Sequence, residues 1–365
     1  MNSKPYLFIL AGGRGERLWP LSAGTHCKPF LKLFEGKTLL ERTVARVQSL
    51  TDPDRLFIIT AEALRDQVRQ TLPHLPEAQI LCEAAGRNTA AAIALACGIT
   101  LKASPEAVAI VLPADHLITN EPRFREVLNA ACAVARQRKE IVTLGIQPSS
   151  PSPEYGYIAC ADPELQGDIR VQRGKGFTEK PSIPTAETYL KTGQFLWNAG
   201  IFAWEAQTLA AMFQRYAPEF APLLHAPETH TACYPQLPSI AFDRAIMEKC
   251  PAFSVVCGDF GWDDAGTFQA LERHLPADTD GNRANTDTRF HGSAHCTVWN
   301  TAPEHTLVLA ACEALFVAHS PEVTLICPQS KVGQLSAWRP DALNLPSQVP
   351  PVSTSHSPIN KGKSV

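Results

Sequence analysis

The apolar run Tyr6 to Ala11 empties directly into Gly12-Gly13-Arg14-Gly15-Glu16-Arg17. Glycines at the carboxyl end of a strand let backbone N–H groups approach phosphate oxygens without interference from Cβ atoms. By themselves they fit a plain strand-to-helix turn equally well. Their cationic company shifts the balance, because Arg14, Arg17 and Lys28 fall within one short segment. Arginine grips phosphate oxygens with a planar fork and lysine acts as a point charge, so the set suits a polyphosphate. Two other glycine loops are excluded. A dinucleotide fingerprint starting at Gly13 would need a third glycine where Leu18 stands, and a P-loop ending in Gly36-Lys37-Thr38 would need its first where Leu31 stands.

Further along, Asp115 follows the apolar run Val108 to Leu112. Open α/β sheets bind ligands at that end of a strand, and a carboxylate there suits hydrated Mg²⁺, although an Asp after Pro is also an ordinary turn residue. Glu179-Lys180-Pro181 offers a carboxylate for sugar hydroxyls and an ammonium for a sugar's phosphate. As a solvated pair it would contribute only about 0 to 1 kcal/mol. Asn198 stands in an apolar stretch, where an amide needs partners: sugar hydroxyls, or backbone in the turn at Ala199-Gly200. Glu83, Asn88 and Thr89 follow another strand candidate, and Asn88 or Thr89 could also cap a helix. His291, His295 and Cys296 form an incomplete zinc set, and His116 reads as an orienting residue rather than a general base.

These residues need a scaffold that gathers strand ends. Short β-favouring runs alternate with longer amphipathic stretches, the pattern of strands and helices around a parallel sheet. Strands are predicted at Tyr6 to Ala11, Leu56 to Thr60, Gln79 to Cys82, Val108 to Leu112 and Ile141 to Ile146. Thr38 with Glu41 three residues later predicts a capping box ahead of Leu39, Leu40, Val44 and Val47. A second region from Tyr155 to about Phe268 is predicted to form a lid over this sheet, with strands at Gly156 to Cys160, Phe195 to Trp204 and Phe253 to Cys257. Beyond Asp278, runs at Thr306 to Ala310, Ala314 to Ala318 and Val323 to Cys327 predict a small β domain without an internal repeat. The expected division is a catalytic domain over 1–277, a β-rich domain over 285–338 and a disordered Pro/Ser-rich tail over 346–365.

A chain of 365 residues, 45% hydrophobic, can bury one large α/β core with an appendage. Its 33 basic and 36 acidic residues leave no global field for a nucleic-acid backbone. The eleven cysteines are odd in number and contain no Cys-x-x-Cys pair, so reduced thiols in the cytoplasm are expected. The first apolar run is too short to span a membrane and lacks a cleavage pattern.

Leu10-Ala11-Gly12-Gly13-Arg14-Gly15-Glu16-Arg17-Leu18-Trp19-Pro20-Leu21-Ser22, followed by Lys28-Pro29-Phe30-Leu31, resembles the signature of the sugar-nucleotide pyrophosphorylases. Trp-Pro-Leu-Ser is similar to the bacterial mannose-1-phosphate guanylyltransferases. Blocks resembling that family recur in its order at Arg87-Asn88-Thr89-Ala90, Leu112-Pro113-Ala114-Asp115-His116, Tyr155-Gly156-Tyr157-Ile158, Phe177-Thr178-Glu179-Lys180-Pro181, Trp197-Asn198-Ala199-Gly200-Ile201-Phe202 and Gly261-Trp262-Asp263-Asp264-Ala265-Gly266. The resemblance implies a Rossmann-like α/β nucleotidyltransferase sheet flanked by helices, with a small β-rich C-terminal domain. It implies transfer of GMP from GTP to mannose 1-phosphate, releasing pyrophosphate, with no general base. Within it, Leu10, Ala11, Gly12, Gly13, Arg14, Gly15, Glu83, Asn88, Thr89 and Asp115 take the nucleotide, and Arg17 and Lys28 offset triphosphate charge. Tyr155, Gly156, Glu179, Lys180 and Asn198 take the sugar phosphate, and Asp115 with Asp264 hold Mg²⁺. Spacing alone does not separate Asp264 from Asp263. Neither nucleic acid nor membrane is an expected partner, and a homodimer through the C-terminal region is an open expectation. The sequence departs from the family at Cys27 (usually proline), Ala91 (usually proline) and Pro153-Glu154 (usually Thr-Gly). The alternatives are glucose 1-phosphate with UTP, dTTP or ATP, or a catalytically weak subunit that binds GDP-mannose.

Overall fold

Side chains alternate across β1 (Tyr6–Leu10): Leu7 and Ile9 enter one buried cluster and Phe8 the other, so this strand has core on both faces. The computed structural model describes residues 3–13, 15–22, 27–161, 164–166, 168–302 and 304–338. β1 pairs in parallel with β2 (Leu56–Ala61) and β4 (Val108–Pro113), and β2 with β3 (Ile80–Glu83). A two-stranded piece joins β5 (Leu117–Ile118) to a later segment at Trp262–Asp263. The large sheet continues through β6 (Val142–Ile146), β7 (Tyr157–Cys160), β8 (Glu164–Gln166), β9 (Ile169–Thr178), β10 (Phe195–Glu205) and β11 (Phe253–Cys257). Its order is β3-β2-β1-β4-β10-β6-β11-β9-β7, with β8 on β9.

Two expectations are corrected here. The second region is not a lid laid over the sheet; β7, β9, β10 and β11 extend the sheet itself. Nor is the sheet purely parallel, because β10 lies antiparallel between β4 and β6. Inserting β10 carries Asn198 and its neighbours past the carboxyl end of β4. A register shift between Asn198 and Phe202, with Gly200 at φ 66°, bends the strand there.

Helices cover both faces. Leu39–Val47 starts with the expected capping box, in which Glu41 N–H donates to Thr38 Oγ1 at 3.1 Å and Thr38 N–H to Glu41 Oε2 at 2.7 Å. It packs with Glu121–Arg138 on one face, while the alanine-rich Asn88–Ala103 packs with Ala206–Tyr216 on the other. No helix among the described residues is long and apolar enough to cross a membrane.

Past the large sheet the chain coils. β12 (Trp262–Asp263) is the partner of β5, and β13 (Arg283–Ala284), β15 (Thr297–Asn300) and β17 (Leu315–His319) stack in parallel. β14 (Thr288–His291) and β16 (Leu307–Ala310) do the same in a second short sheet, and β18 (Thr324–Pro328) closes the first antiparallel. The β-rich character matches the sequence reading. Its parallel stacking was not legible, because successive coils differ in length and carry no repeating motif. Trp299, Phe316 and Ala318 from this coil share a core with Leu18, Leu21 and Leu31 of the glycine and lysine segments. The predicted tail over 346–365 lies outside the described residues.

Candidate active site

The glycine loop is anchored at its root. Ala11 N–H donates to the Ile59 carbonyl, Ala114 N–H donates to the Leu10 carbonyl at 2.9 Å, and Thr60 Oγ1 donates to the Ala11 carbonyl at 2.9 Å. Gly15 sits at φ 66°, and a Cβ there would fall 2.4 Å from Lys28 Cβ, so only glycine lets the two segments meet. Gly13 is exposed with open space around it, and Arg14 lies outside the described residues.

Lys28 is not a free surface cation. It is buried, with Nζ 2.9 Å from Asp115 Oδ2 and donating to the Asp264 carbonyl at 2.5 Å. It thereby ties the turn after β4 to the turn after β12. Burial would raise the Asp115 carboxyl, but the Lys28 ammonium, His116 and a backbone N–H together outweigh it and hold Asp115 below the usual carboxylate range. His116 Nδ1 accepts from Trp262 Nε1 at 3.1 Å, and burial drives its imidazole down to about 4 against the pull of Asp115. It is an oriented, neutral acceptor.

The adjacent aspartates are separated by their partners. Asp263 is buried and saturated: it accepts from Ala265 N–H at 2.9 Å and Arg273 Nη2 at 2.7 Å, with His274 Nε2 3.0 Å away. Burial would raise it, and His274 and Arg273 more than compensate, so it stays ionised. Asp264 Oδ1 accepts from the Tyr155 hydroxyl at 3.0 Å and from Gly266 N–H at 3.1 Å. Burial and that carboxylate push the Tyr155 phenol far above its ordinary value. Arg17 pairs with Glu154. Arg17, Glu154, Tyr155, Trp262, Asp263 and Asp264 face a common cavity of about 470 Å³.

At the end of β3, Glu83 lies against the glycine loop, since a Cβ on Gly12 would sit 3.4 Å from Glu83 Oε2. Burial pushes the Glu83 carboxyl up to about 7, with the Tyr234 hydroxyl pulling the other way. Asn88 adopts φ 61° and accepts from Thr89 N–H at 2.8 Å, and Thr89 Oγ1 accepts from Phe242 N–H at 2.9 Å. Asn88 thus bonds its neighbour and Thr89 the distant segment at Phe242; both are the first residues of Asn88–Ala103, and neither caps it from outside.

Gly156, Glu179, Lys180 and Asn198 form a second group. A Cβ on Gly156 would meet Glu179 Oε2 at 2.8 Å, so glycine admits that carboxylate. Lys180, exposed and at φ 48°, has its Nζ 3.2 Å from Glu179 Oε1. Asn198 Oδ1 accepts from Thr143 Oγ1 at 2.8 Å and Gly200 N–H at 3.2 Å, while Nδ2 donates to Asp243 Oδ1 at 3.0 Å. Burial first, and the Glu179 carboxylate second, raise Asp243 to about 7. Sequence reading missed Asp243, Thr143 and Arg273. Asp243 left a signal, a carboxylate set among Ile240, Phe242 and Ala245-Ile246-Met247, where desolvation demands a partner. Among the described residues no group of three His, Cys, Asp or Glu could hold a metal ion, so His291, His295 and Cys296 do not converge.

Residues 7–281 match the model of the nucleotidyl transferase family. A mannose-1-phosphate guanylyltransferase from Sinorhizobium fredii is 37% identical over 292 residues, which is 75% of this chain and 56% of that protein. One from Escherichia coli K12 is 31% identical over 348 residues, 91% of this chain and 72% of that protein. The chain thus spans only part of the length of these relatives. A solved structure from Thermus thermophilus, described as a mannose-1-phosphate geranyltransferase, is 35% identical with a TM-score of 0.82, covering 92% of this chain and 98% of that one.

Proposed function

The chain belongs to the nucleotidyl transferase family, and from that membership we propose that it transfers GMP from GTP to mannose 1-phosphate, giving GDP-mannose and pyrophosphate. The observation that carries the reading is the buried Lys28 ammonium clamped between the Asp115 and Asp264 turns at the β1/β4 end of the sheet. A phosphate oxygen of the sugar phosphate attacks the α-phosphorus of GTP as the bond to the pyrophosphate oxygen breaks. That nucleophile is already anionic at neutral pH, so no base is required. Catalysis then rests on positioning and charge neutralisation.

In this reading Arg17 exchanges Glu154 for the triphosphate, Gly12 with Glu83 receives the base, and Glu179, Lys180 and Asn198 hold the sugar phosphate. Asp115 is held ionised and Asp264 faces the cavity, a hard oxygen pair that suits Mg²⁺ completed by water and phosphate. When bound, the ion would neutralise charge across the phosphates. Among the described residues no disulfide joins two cysteines, which is in keeping with a cytoplasmic setting. A homodimer through the C-terminal region belongs to the same reading.

Pyrophosphate release measured across GTP, ATP, UTP and dTTP, each with mannose and glucose 1-phosphates, tests the reading. GTP with mannose 1-phosphate is expected to have the highest kcat/KM. A clear preference for UTP or dTTP would overturn it.

A further inference from the structure

Asn198 presents an amide whose orientation is determined by its neighbours. The Gly200 N–H can only donate, so the amide atom 3.2 Å from it must be the oxygen. The Thr143 hydroxyl donates to the same oxygen at 2.8 Å, closer than its 3.2 Å approach to the Ile201 carbonyl. Nδ2 therefore faces Asp243, which takes one of its two hydrogens at 3.0 Å. Among the described residues the second hydrogen has no protein partner. Asp243 in turn lies close enough to Glu179 for the two carboxyls to repel, with Lys180 opposing that repulsion and Glu248 adding to it. One carboxyl thus bonds Asn198 and feels the charge of Glu179, the two groups expected to touch the sugar.

We infer that Asp243 is a positioning residue for the sugar end of the cleft: it holds the Asn198 amide so that one N–H is left to donate to a hydroxyl of the sugar phosphate. The inference rests on the function proposed above. Geometry, more than charge, carries it. An acceptor at Asp243 Oδ1 and a donor-only backbone at Gly200 leave the amide one orientation, and a hydrogen bond prepared in this way costs the complex little further ordering.

Asp243→Ala removes the acceptor and Asp243→Asn can keep it, since the Asn carbonyl oxygen accepts as the carboxylate does. With the nucleotide and sugar phosphate that wild type turns over best, Asp243→Ala should raise KM for the sugar phosphate about five- to tenfold, the scale of one neutral hydrogen bond. KM for the nucleotide should stay within about twofold, since the lost contact is at the other end of the cleft. Asp243→Asn should recover most of the loss. Asn198→Ala should raise the same KM, and adding Asp243→Ala to it should cost little more, because both act through one bond. In protein labelled with ¹⁵N-asparagine, the Asn198 side-chain amide, identified by its loss in Asn198→Ala, should shift in Asp243→Ala and return in Asp243→Asn.

Equal effects on both KM values, fully additive effects of Asn198→Ala and Asp243→Ala, or an unmoved amide resonance would each overturn the inference while leaving the proposed reaction standing. If wild type turned over no sugar 1-phosphate at all, the proposed reaction would fall and this inference with it. A shifted amide would then mark the Asp243–Asn198 bond as structural.

Discussion

Neighbouring carboxylates with one residue type can do different work, and Asp263 and Asp264 show why. Both line the cavity, but Asp263 spends its two oxygens on Arg273, His274 and Ala265, whereas Asp264 shares only one, with Tyr155 and the Gly266 N–H. Asp264→Asn is expected to keep the melting temperature and lower kcat by at least about a hundredfold, since a charged ligand and its neutralisation of the transition state go together. Asp263→Asn should do the reverse. Breaking a buried ionised network costs about 2 to 4 kcal/mol, while kcat stays within roughly tenfold. Thermal melts beside kcat would decide, and a larger kcat loss at Asp263 would move the ligand assignment by one residue. Glu83 makes a pH prediction. Between its ordinary 4.5 and about 7, the folded state keeps a proton that the unfolded chain has released, so its contribution to stability falls as pH rises through that window. Glu83→Gln removes the penalty, and its stability gain over wild type should grow from pH 5 to pH 8 by up to about 3 kcal/mol in urea denaturation. A gain independent of pH would mean that the carboxyl is not raised in the folded protein.

Among the elements, the helix Asn88–Ala103 is the clearest case of packing overruling propensity. Its run of alanines lets it lie close to Ala221–His225, and Gly98 lets the contact become closer still. A Cβ on Gly98 would sit 2.0 Å from the Leu223 carbonyl oxygen, which is backbone and cannot rotate away. Helix propensity alone would make Gly98→Ala stabilising by about 1 kcal/mol. Overpacking costs about 1 to 3 kcal/mol or more, so the expected net effect is a loss, read as a lower urea midpoint. An unchanged or raised midpoint would show that the two helices can separate without cost. The same helix begins at Asn88 and Thr89, and Thr89 holds Phe242 beside Asp243, so the packing of this helix reaches toward the Asp243–Asn198 pair.

For the molecule as a whole, the C-terminal coil is coupled to the cleft through a shared core. Trp299 is fully buried among Phe34, Phe268 and the leucines flanking the glycine and lysine segments. Val298, next to it, faces a separate cluster with Cys296, Leu309 and Val317. Trp299→Ala should cost about 3 to 5 kcal/mol, and because the cavity opens beneath Leu18 and Leu31 it should also lower kcat. Val298→Ala should cost about 1.5 to 3 kcal/mol and leave kcat unchanged, as a smaller truncation in a cluster that does not touch the loop. Equal effects on kcat would mean that the coil stabilises the molecule without positioning Lys28.

Local features were legible in the sequence: the capping box at Thr38 and Glu41, the strand runs, and the glycine and cation loop after β1, because each depends on residues a few positions apart. The family blocks also singled out Arg17, Lys28, Asp115 and Asp264 from the sequence alone. What only the tertiary structure decided depends on partners far apart along the chain. The antiparallel insertion of β10, the extension of one sheet where a lid was expected, and the parallel coil after Asp278 are pairing choices, made by burial across the whole sheet rather than by any local pattern. Asp263 and Asp264 are one residue apart and chemically identical. They were told apart by Arg273 and His274 on one side and by Tyr155, from a loop more than a hundred residues earlier, on the other. Asp243 stayed unseen for the same reason: a carboxylate acquires a role from the amide it meets, and Asn198 reaches it only once β10 has taken its place in the sheet.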